Sequence, residues 1–438
     1  MNTTQHYNFN HLSVKDLVEA RDLFHIHLTN KKNVVATAIG RYLVRISDFD
    51  KNGNYNPAKK KGKRTLADSI VTSFSWPCIL VFVEKWEEKS ALIKNDGNDI
   101  VPKSLYMPDG RIVPVCIVEA EKQIRSSSNV DINKFIFPNN YIGGGFPLLL
   151  NSQGDERVAT VGCVVSDGHK YYALTNRHVT GDGGEKVSSI FGTTKMKIGT
   201  SAGNHLGAVK FSQIYPGWED KSTVVNCDAG LVEIDDRKRW KTDILGLGQM
   251  GPLFDLNVNN LSLGIISEHK LDKRRKRITV SGKLKAYGAG TGLMNGEVIA
   301  MFYRYKSVGG TEYISDFLIG GINGTDLKVH HGNSGMLWMI EVLNDKNKLE
   351  LQPLALHWGQ HEFISGNQKS RYSYSLSTSL SVICREMNVD LVRGWNLDND
   401  YSWGKVGHYT VAASAILLNA IKDENLKKLL KNNIANIS

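Results

Sequence analysis

Residues 136–398 contain many short apolar runs separated by Gly, Asn and Asp, and they show very little helical periodicity. This pattern is typical of an all-β barrel or sandwich, because tight turns between short strands need residues that tolerate unusual backbone angles. A stretch of about 260 residues suits two small barrels better than one. We therefore expect a mainly β chain built around a double β-barrel.

The two ends of the chain differ from this central region. A helical pattern covers 13–28, where Ser13 and Asp16 make a capping box. Short β-rich runs follow it, at 34–46, 70–82 and 112–118. Residues 1–135 are therefore predicted to form an N-terminal α/β lobe. In 399–438, Ala, Ile and Leu recur at spacings of three and four, which predicts a short C-terminal helical segment.

Composition narrows the class of protein further. The 438 residues are 41% hydrophobic and 22% charged, which excludes a disordered chain. No apolar run approaches the roughly 18 residues of a membrane span, and the first residues lack the pattern of an export signal, so the expected location is cytoplasmic. No metal or other cofactor is expected. Five cysteines, far apart and odd in number, favour buried thiols over disulfides or a zinc ribbon: Cys78, Cys116, Cys163, Cys227 and Cys384.

The formal net charge of +10 comes from two local clusters. Five of the six residues in 59–64 are basic, and so are six of the eight in 270–277. The first follows a turn-rich segment and the second leads into a strand-like alternation, so both are interpreted first as solvated loop or hairpin tips. The alternative is that they bind an acidic partner, which would be a protein, a nucleic acid or a membrane surface.

The strongest local signal for chemistry is Gly332–Gly335, with the sequence Gly-Asn-Ser-Gly. Flanking glycines let the backbone turn sharply, so that the Ser334 hydroxyl is presented and successive N–H groups point to one place. Such a turn suits a nucleophile with its oxyanion hole, although ordinary turns use the same residues. A catalytic role therefore also requires a base and an acid that orients it.

Two other segments offer these groups. His178 ends a β-like run and enters a glycine-rich turn, so it is either a base or an ordinary core or surface histidine. Asp228 lies among apolar residues in 224–232. A buried carboxylate is costly without a donor, so its position predicts a partner such as an imidazole N–H. The alternative for Asp228 is a carboxylate in a turn.

Together these segments resemble the trypsin-like (chymotrypsin-fold) serine peptidases. Leu174–Val179 is similar to the histidine motif of that family, Asp228–Leu231 to its aspartate motif and Gly332–Gly335 to its nucleophile motif. The order His, Asp, Ser separates this fold from subtilisins and α/β-hydrolases. Intervals of 50 and 106 residues between the three side chains suit two six-stranded barrels.

The resemblance implies a chymotrypsin-like double β-barrel over 136–398, in a branch with an N-terminal accessory lobe over 1–135. It also implies that Ser334 is the nucleophile, His178 the base and Asp228 its orienting acid, with the N–H groups of Gly332 and Ser334 as the oxyanion hole. Two further segments resemble parts of the family's site. These are a glycine-rich strand pair at Gly288–Leu293 and the strand that binds the substrate backbone at Leu354–Gly359.

The resemblance also points to four substrate-binding residues: Lys328, His357, Trp358 and Gly359. Positive charge at Lys328 would favour an acidic residue before the cleaved bond, while a solvated lysine is the alternative. Asn333 replaces an aspartate that, in digestive members, pairs with a newly cut N-terminus. Activation by N-terminal cleavage is therefore not expected, and control is expected from a regulatory protein partner acting through the lobe or the C-terminal helices.

The sequence thus predicts an intracellular serine endopeptidase that makes limited, regulated cuts in protein substrates through an acyl-enzyme. Two alternatives from other classes stay open. One is a catalytically silent pseudoprotease that uses the barrels as a binding module. The other is a protein that binds a nucleic acid or another partner through its two basic clusters.

Overall fold

The computed structural model describes residues 8–50, 52–56, 62–95, 97–123, 136–152, 155–218, 223–307, 309–365 and 370–394. The predicted helical segment at 399–438 lies outside these residues, and so does the first part of the basic cluster at 59–64. None of the helices in the described ranges is both long enough and apolar enough to cross a membrane.

The lobe begins with the predicted helix, in which Ser13 is the N-cap and forms a capping box with Asp16. The helix buries Leu17, Val18 and Leu28, and it packs on two strands of the lobe. The predicted strand over 70–82 is split in two, and Pro77 is the first residue of the second piece, a position where proline, which has no N–H, is tolerated. The elements are α1 Val14–Thr29, β1 Val34–Arg41, β2 Val44–Arg45, β3 Ser69–Ile70, β4 Pro77–Val83, α2 Lys89–Asn95, β5 Ser104–Tyr106, β6 Ile112–Glu119 and β7 Glu121–Gln123.

The first barrel follows the lobe. Its elements are β8 Ile142–Gly144, β9 Pro147–Ser152, β10 Asp155–Thr160, β11 Cys163–Ser166, β12 Tyr171–Thr175, α3 Arg177–Thr180, β13 Lys186–Phe191, β14 Thr194–Lys210, α4 Phe211–Ile214, β15 Val224–Ile234 and β16 Trp240–Ile244. The strand pairs form a closed ring of six, since β10 and β11 are two pieces of one strand interrupted at Val161 and Gly162. Its core is separate from that of the rest of the molecule and includes Phe146 and Trp240.

The second barrel comes after a hairpin. The remaining elements are β17 Glu268–Leu271, β18 Arg277–Ser281, β19 Lys283–Gly288, β20 Gly292–Lys306, β21 Glu312–Gly321, β22 Leu337–Leu343, β23 Leu349–Ser365, β24 Ser370–Ser379, α5 Leu380–Met387 and β25 Asp390–Leu391. Strands β17 and β18 form the hairpin, and β19 to β24 pair in a second closed ring of six. The predicted mainly β, double-barrel fold is therefore confirmed.

The lobe is joined to the second barrel by strand pairing. Strand β1 pairs with the far end of β20, and β7 pairs with the far end of β23. With β4 and β6 between them, these strands complete a third ring that shares β20, β21, β24 and β23 with the second barrel. Aromatic side chains from both parts meet there, including Phe82, Tyr303 and Phe363. The lobe and the second barrel therefore share one continuous hydrophobic core.

A buried ionic cluster lies at this junction. Glu297 in β20 is fully buried and is paired with the Arg277 guanidinium, and its carboxylate lies 3.0 Å from Nε2 of His269. Arg277 also donates to the carbonyl oxygens of Leu66 and Ser69 in the lobe, at 3.1 Å each. Because buried charges are stable only when they are paired, this cluster ties the hairpin, the lobe and the second barrel together.

The basic cluster at 270–277 lies mainly on the tip of the β17–β18 hairpin, as expected for a solvated tip. Lys273 and Arg274 are exposed there. Arg275 instead turns inward and donates to the carbonyl oxygens of Ile46 and Phe49 in the lobe, at 2.7 and 3.0 Å. Part of the net positive charge is therefore used in holding the hairpin to the lobe.

All five cysteines are buried and free, which confirms their interpretation as packing residues. Burial raises the pKa of the thiols of Cys163 and Cys227 well above the ordinary value. These two thiols therefore stay protonated near neutral pH, and protonated thiols are poor nucleophiles.

Lower pH should destabilise the aromatic core of the third ring through His361. Its Nδ1 lies 3.1 Å from the Tyr303 hydroxyl, and burial, helped by the Lys122 ammonium, lowers its pKa to about 3. The ordinary pKa is 6.5, so below that pH the unfolded chain binds a proton that the native state refuses. The stability that the native state gains by keeping His361 neutral is therefore fully present above pH 6.5, and it is lost as the pH falls towards 3.

The measurement is the free energy of unfolding by urea at about pH 7.5 and about pH 5.5. For His361 we expect a loss of about 1.4 kcal/mol per pH unit below its ordinary pKa. His361→Asn keeps a polar atom near Nδ1 without a titrating group, so its free energy of unfolding should fall less over this interval. Equal pH dependence in the two proteins would contradict the prediction.

Candidate active site

The side chains of His178, Asp228 and Ser334 come together between the two barrels, from three separate elements. Nδ1 of His178 lies 2.6 Å from Oδ2 of Asp228, and Nε2 lies 3.1 Å from Oγ of Ser334. A carboxylate only accepts hydrogen bonds, so Nδ1 is the protonated nitrogen and Nε2 is free to accept from the serine hydroxyl. The predicted nucleophile, base and acid are thus in hydrogen-bond contact in the expected order.

The backbone around Asp228 explains why the aspartate faces the histidine. Asp228 has a φ of +41°, in the left-handed region that favours glycine. Its carbonyl accepts from Nδ2 of Asn176 at 2.7 Å, and its Oδ1 accepts the backbone N–H of His178 at 3.0 Å. The carboxylate therefore holds both the main chain and the ring of His178. Its side chain is only 14% exposed, whereas that of His178 is 47% exposed.

The nucleophile turn requires its glycines. Gly332 and Gly335 have φ values of +92° and +88°. A Cβ at Gly335 would lie 2.3 Å from Oγ1 of Thr175 and 2.4 Å from the carbonyl oxygen of Thr160. Among the described residues, no acceptor pairs with the backbone N–H of Gly332 or of Ser334. The turn therefore leaves free the two N–H groups that the sequence predicted for an oxyanion hole.

Thr160 and Asn176 support this arrangement, and the sequence analysis missed both. The Thr160 hydroxyl donates to the carbonyl of Gly332 at 2.6 Å, and its backbone N–H donates to the carbonyl of Ser334 at 2.8 Å. Thr160 thus connects β10 of the first barrel to the nucleophile turn of the second. Asn176 lies next to the histidine motif, a position that could have suggested it, while no local signal marks Thr160.

Asn333 is fully buried and joins the nucleophile turn to the turn between β19 and β20. Its Oδ1 accepts from the N–H of Gly290 at 3.0 Å, and its Nδ2 donates to Oγ1 of Thr291 at 2.7 Å. A Cβ at Gly288 would lie 2.5 Å from this Oδ1, so the glycine-rich strand pair packs around the asparagine. Neutral hydrogen bonds hold the turn here without a charged partner.

We expect Asn333→Ala to loosen the nucleophile turn. It would leave the partly buried N–H of Gly290 without its acceptor, at a cost of about 1 kcal/mol in the free energy of unfolding. The rate of peptide cleavage should fall about 10- to 100-fold, because small misplacements of reacting groups are costly. Urea unfolding and peptide kinetics on the same preparations test this, with Asn259→Ala on an exposed turn as the control. Equal effects of the two substitutions would contradict it.

Two of the four predicted substrate-binding residues, Lys328 and His357, differ in both exposure and charge. Lys328 is exposed with a φ of +51°, and its side chain makes no hydrogen bond or ion pair with the described residues. His357 is buried, and its Nδ1 lies 2.7 Å from the Ser375 hydroxyl. Burial, and to a lesser extent the charge of His178, lower the pKa of His357 to about 3. His357 is therefore neutral near pH 7 and adds no positive charge to the site.

Trp358 and Gly359 lie on β23, where the pairing with β24 shifts register between His357 and Gly359. Nε1 of Trp358 donates to Oγ1 of Thr378 at 3.1 Å, which in turn donates to the carbonyl of Asn226 at 2.7 Å. A Cβ at Gly359 would come no closer than 3.9 Å to any neighbour. The tryptophan therefore helps to join the two barrels, and the glycine leaves open space beside the strand.

The comparison with known proteins gives one relative over the whole chain. A protein from Bradyrhizobium tropiciagri named a probable serine protease is 39% identical over 447 residues, which include 99% of this chain. The chain spans 54% of the length of that relative. No protein-family profile matches the chain.

Solved structures give weaker similarities, each over a little more than half of the chain. Thermobifida fusca protease A is 16% identical over 58% of this chain and 100% of its own, with a TM-score of 0.35. A Nocardiopsis protease is 15% identical over 57% and 98%, with a TM-score of 0.33. The closed strand rings described above are the independent evidence for the fold. The chain is thus similar along 99% of its length to a protein named a probable serine protease, and its two closed six-stranded rings are the double barrel that the sequence predicted.

Proposed function

We propose that the chain is a serine endopeptidase that cleaves protein substrates through an acyl-enzyme. The observation that carries this is the line of hydrogen bonds from Asp228 through His178 to Ser334, with distances of 2.6 and 3.1 Å. A hydroxyl is a weak nucleophile unless a base accepts its proton, and a neutral imidazole in this orientation is such a base. The name of the Bradyrhizobium relative supports the same activity.

In the proposed mechanism, Ser334 Oγ attacks the carbonyl carbon of the scissile bond while Nε2 of His178 takes the hydroxyl proton. The tetrahedral oxyanion is stabilised by the free N–H groups of Gly332 and Ser334, and one such donor is typically worth about 10²–10³ in rate. His178 then gives its proton to the leaving amine, and the acyl-enzyme forms. Water deacylates it by the same steps in reverse order, with Asp228 stabilising the imidazolium each time.

The finer predictions about function belong to this proposal. Limited and regulated cleavage, a regulatory partner at the lobe or the C-terminal helices, and an intracellular location stay predictions. The last of these is supported by five free, buried cysteines, which suit a reducing compartment. Substrate binding by Lys328, His357, Trp358 and Gly359 and the binding of nucleic acid by the basic clusters also stay predictions.

Labelling with a fluorophosphonate probe tests whether the protein is an enzyme or a silent relative. The probe reacts only with a serine whose proton is removed by an adjacent base, so the wild-type protein should be labelled. Ser334→Ala and His178→Ala should both remain unlabelled, while Ser212→Ala, at an exposed position in α4, should label as the wild type does. Absence of labelling in a correctly folded wild-type protein would contradict the proposed function.

A further inference from the structure

A cleft of about 400 Å³ opens beside His178, and the sequence analysis did not predict it. Its lining includes the reacting groups themselves, His178 and Asp228, so whatever occupies it lies next to the site of bond cleavage. Arg177, Gly207 and Tyr313 form further parts of its wall. None of the four predicted substrate-binding residues lines this cleft.

The cleft carries one uncompensated positive charge. Arg177 is exposed, and its guanidinium makes no ion pair within the described residues. The only carboxylate in the wall is that of Asp228, whose two oxygens already accept the backbone N–H and Nδ1 of His178. The guanidinium donors of Arg177 are therefore available to a ligand.

The guanidinium of Arg177 lies beside strand β14. A Cβ at Gly207 would lie only 2.7 Å from a terminal nitrogen of Arg177, so the arginine lies directly against the backbone of β14. The smallest residues of the wall are Gly181, Gly207 and Ala208, which leave the space in front of the arginine open. Arg177 immediately precedes His178, so its main-chain position is fixed by the same turn.

We propose that this cleft is a substrate subsite in which Arg177 binds the carboxylate of an acidic side chain near the scissile bond. Arginine matches a carboxylate with two parallel N–H donors, which a neutral side chain cannot use equally well. The substrate class is then acidic protein segments. This inference rests on the proposed peptidase function, and it is independent of any role of Lys328.

The first experiment compares otherwise identical peptides in which Glu or Gln occupies each position in turn on either side of the cleaved bond. At one position, kcat/KM of the wild-type protein should be about tenfold higher for Glu than for Gln. Arg177→Gln should abolish that ratio and leave the ratios at other positions unchanged. A ratio that survives Arg177→Gln, or that disappears instead in Lys328→Gln, would overturn the proposal.

Three further variants separate charge from position. Arg177→Lys keeps the charge but not the paired donors, so part of the ratio should return. Gly207→Ala keeps the arginine but shifts its guanidinium, so the ratio should fall by less than in Arg177→Gln. Arg274→Gln removes an exposed arginine from the hairpin tip, which is not part of the cleft wall, and the ratio should be unchanged.

A binding measurement keeps the subsite testable apart from catalysis. Ser334→Ala should bind the Glu peptide about tenfold more tightly than the Gln peptide, and Ser334→Ala combined with Arg177→Gln should bind both equally. Charge-dependent binding without cleavage by the wild type would support the subsite and contradict the proposed function. Cleavage without any preference for Glu that depends on Arg177 would support the function and overturn the subsite.

Discussion

Replacing Ser334 with alanine should lower peptide turnover by on the order of 10⁶, and His178→Ala should have nearly the same effect. The two effects are expected to be similar because the hydroxyl and the imidazole act as one unit through their 3.1 Å contact. Asp228→Asn should cost less, on the order of 10⁴, since the base remains but its tautomer is no longer fixed. The measurement is kcat/KM on a single fluorogenic peptide.

The double variant and the folding controls make this prediction decisive. Ser334→Ala combined with His178→Ala should be no slower than either single variant, because a unit that is already broken cannot be broken again. Ser334→Ala should unfold at the same urea concentration as the wild type, since its side chain is partly exposed. Urea unfolding of the other variants, which change the partners of Asp228, shows whether each remains folded under the assay conditions. Losses that multiply in the double variant would show that the two residues act separately, and the triad mechanism would be wrong.

Replacing Glu297 with glutamine should produce the largest loss of stability, about 3–5 kcal/mol. Burial alone would raise the pKa of Glu297, but the Arg277 guanidinium beside it lowers it below the ordinary value. The carboxylate is therefore ionised in the native state. Its loss would leave the nearly buried Arg277 without a counter-charge, and the one oxygen of glutamine would replace the two that face Arg277 and His269.

A second glutamate with similar partners provides the matched control for this substitution. Glu312 pairs with Arg304 and with His25, but its side chain is 35% exposed. Because water screens exposed pairs, Glu312→Gln should cost only about 0–1 kcal/mol. The measurement is the free energy of unfolding by urea for both variants. Equal losses would mean that burial of the Glu297 cluster does not determine its contribution.

The features that the sequence predicted are those encoded within a few neighbouring residues. The capping box of Ser13 places the first helix, alternation places the strands, and short motifs place His178, Asp228 and Ser334. The prediction was less accurate for the run over 70–82, which is interrupted between Ile70 and Pro77. Local sequence therefore predicted which side chains meet between the barrels better than it predicted the residues that support them.

The remaining features depend on contacts between residues that are distant in the chain. Thr160 reaches Gly332 across 172 positions, and Arg21 of the lobe donates to the carbonyl of Phe302 across 281 positions. Nothing in the sequence around Thr160 distinguishes it from other strand threonines, because its role exists only when the two barrels meet. The pairing of β1 with β20 could not be predicted for the same reason, since the residues of either strand alone do not specify which distant strand it pairs with.

Sharing of strands between the lobe and the second barrel has a consequence for the regulation of this protein. Many proteases are kept silent by an N-terminal piece that is later cut away. Here, removal of the lobe would strip β20 and β23 of their neighbours and uncover the aromatic side chains around Phe363. Bare strand edges beside apolar surface invite aggregation. We therefore expect that removal of the lobe makes the protein aggregate instead of activating it. Activation by cutting away an N-terminal piece is thus incompatible with this fold.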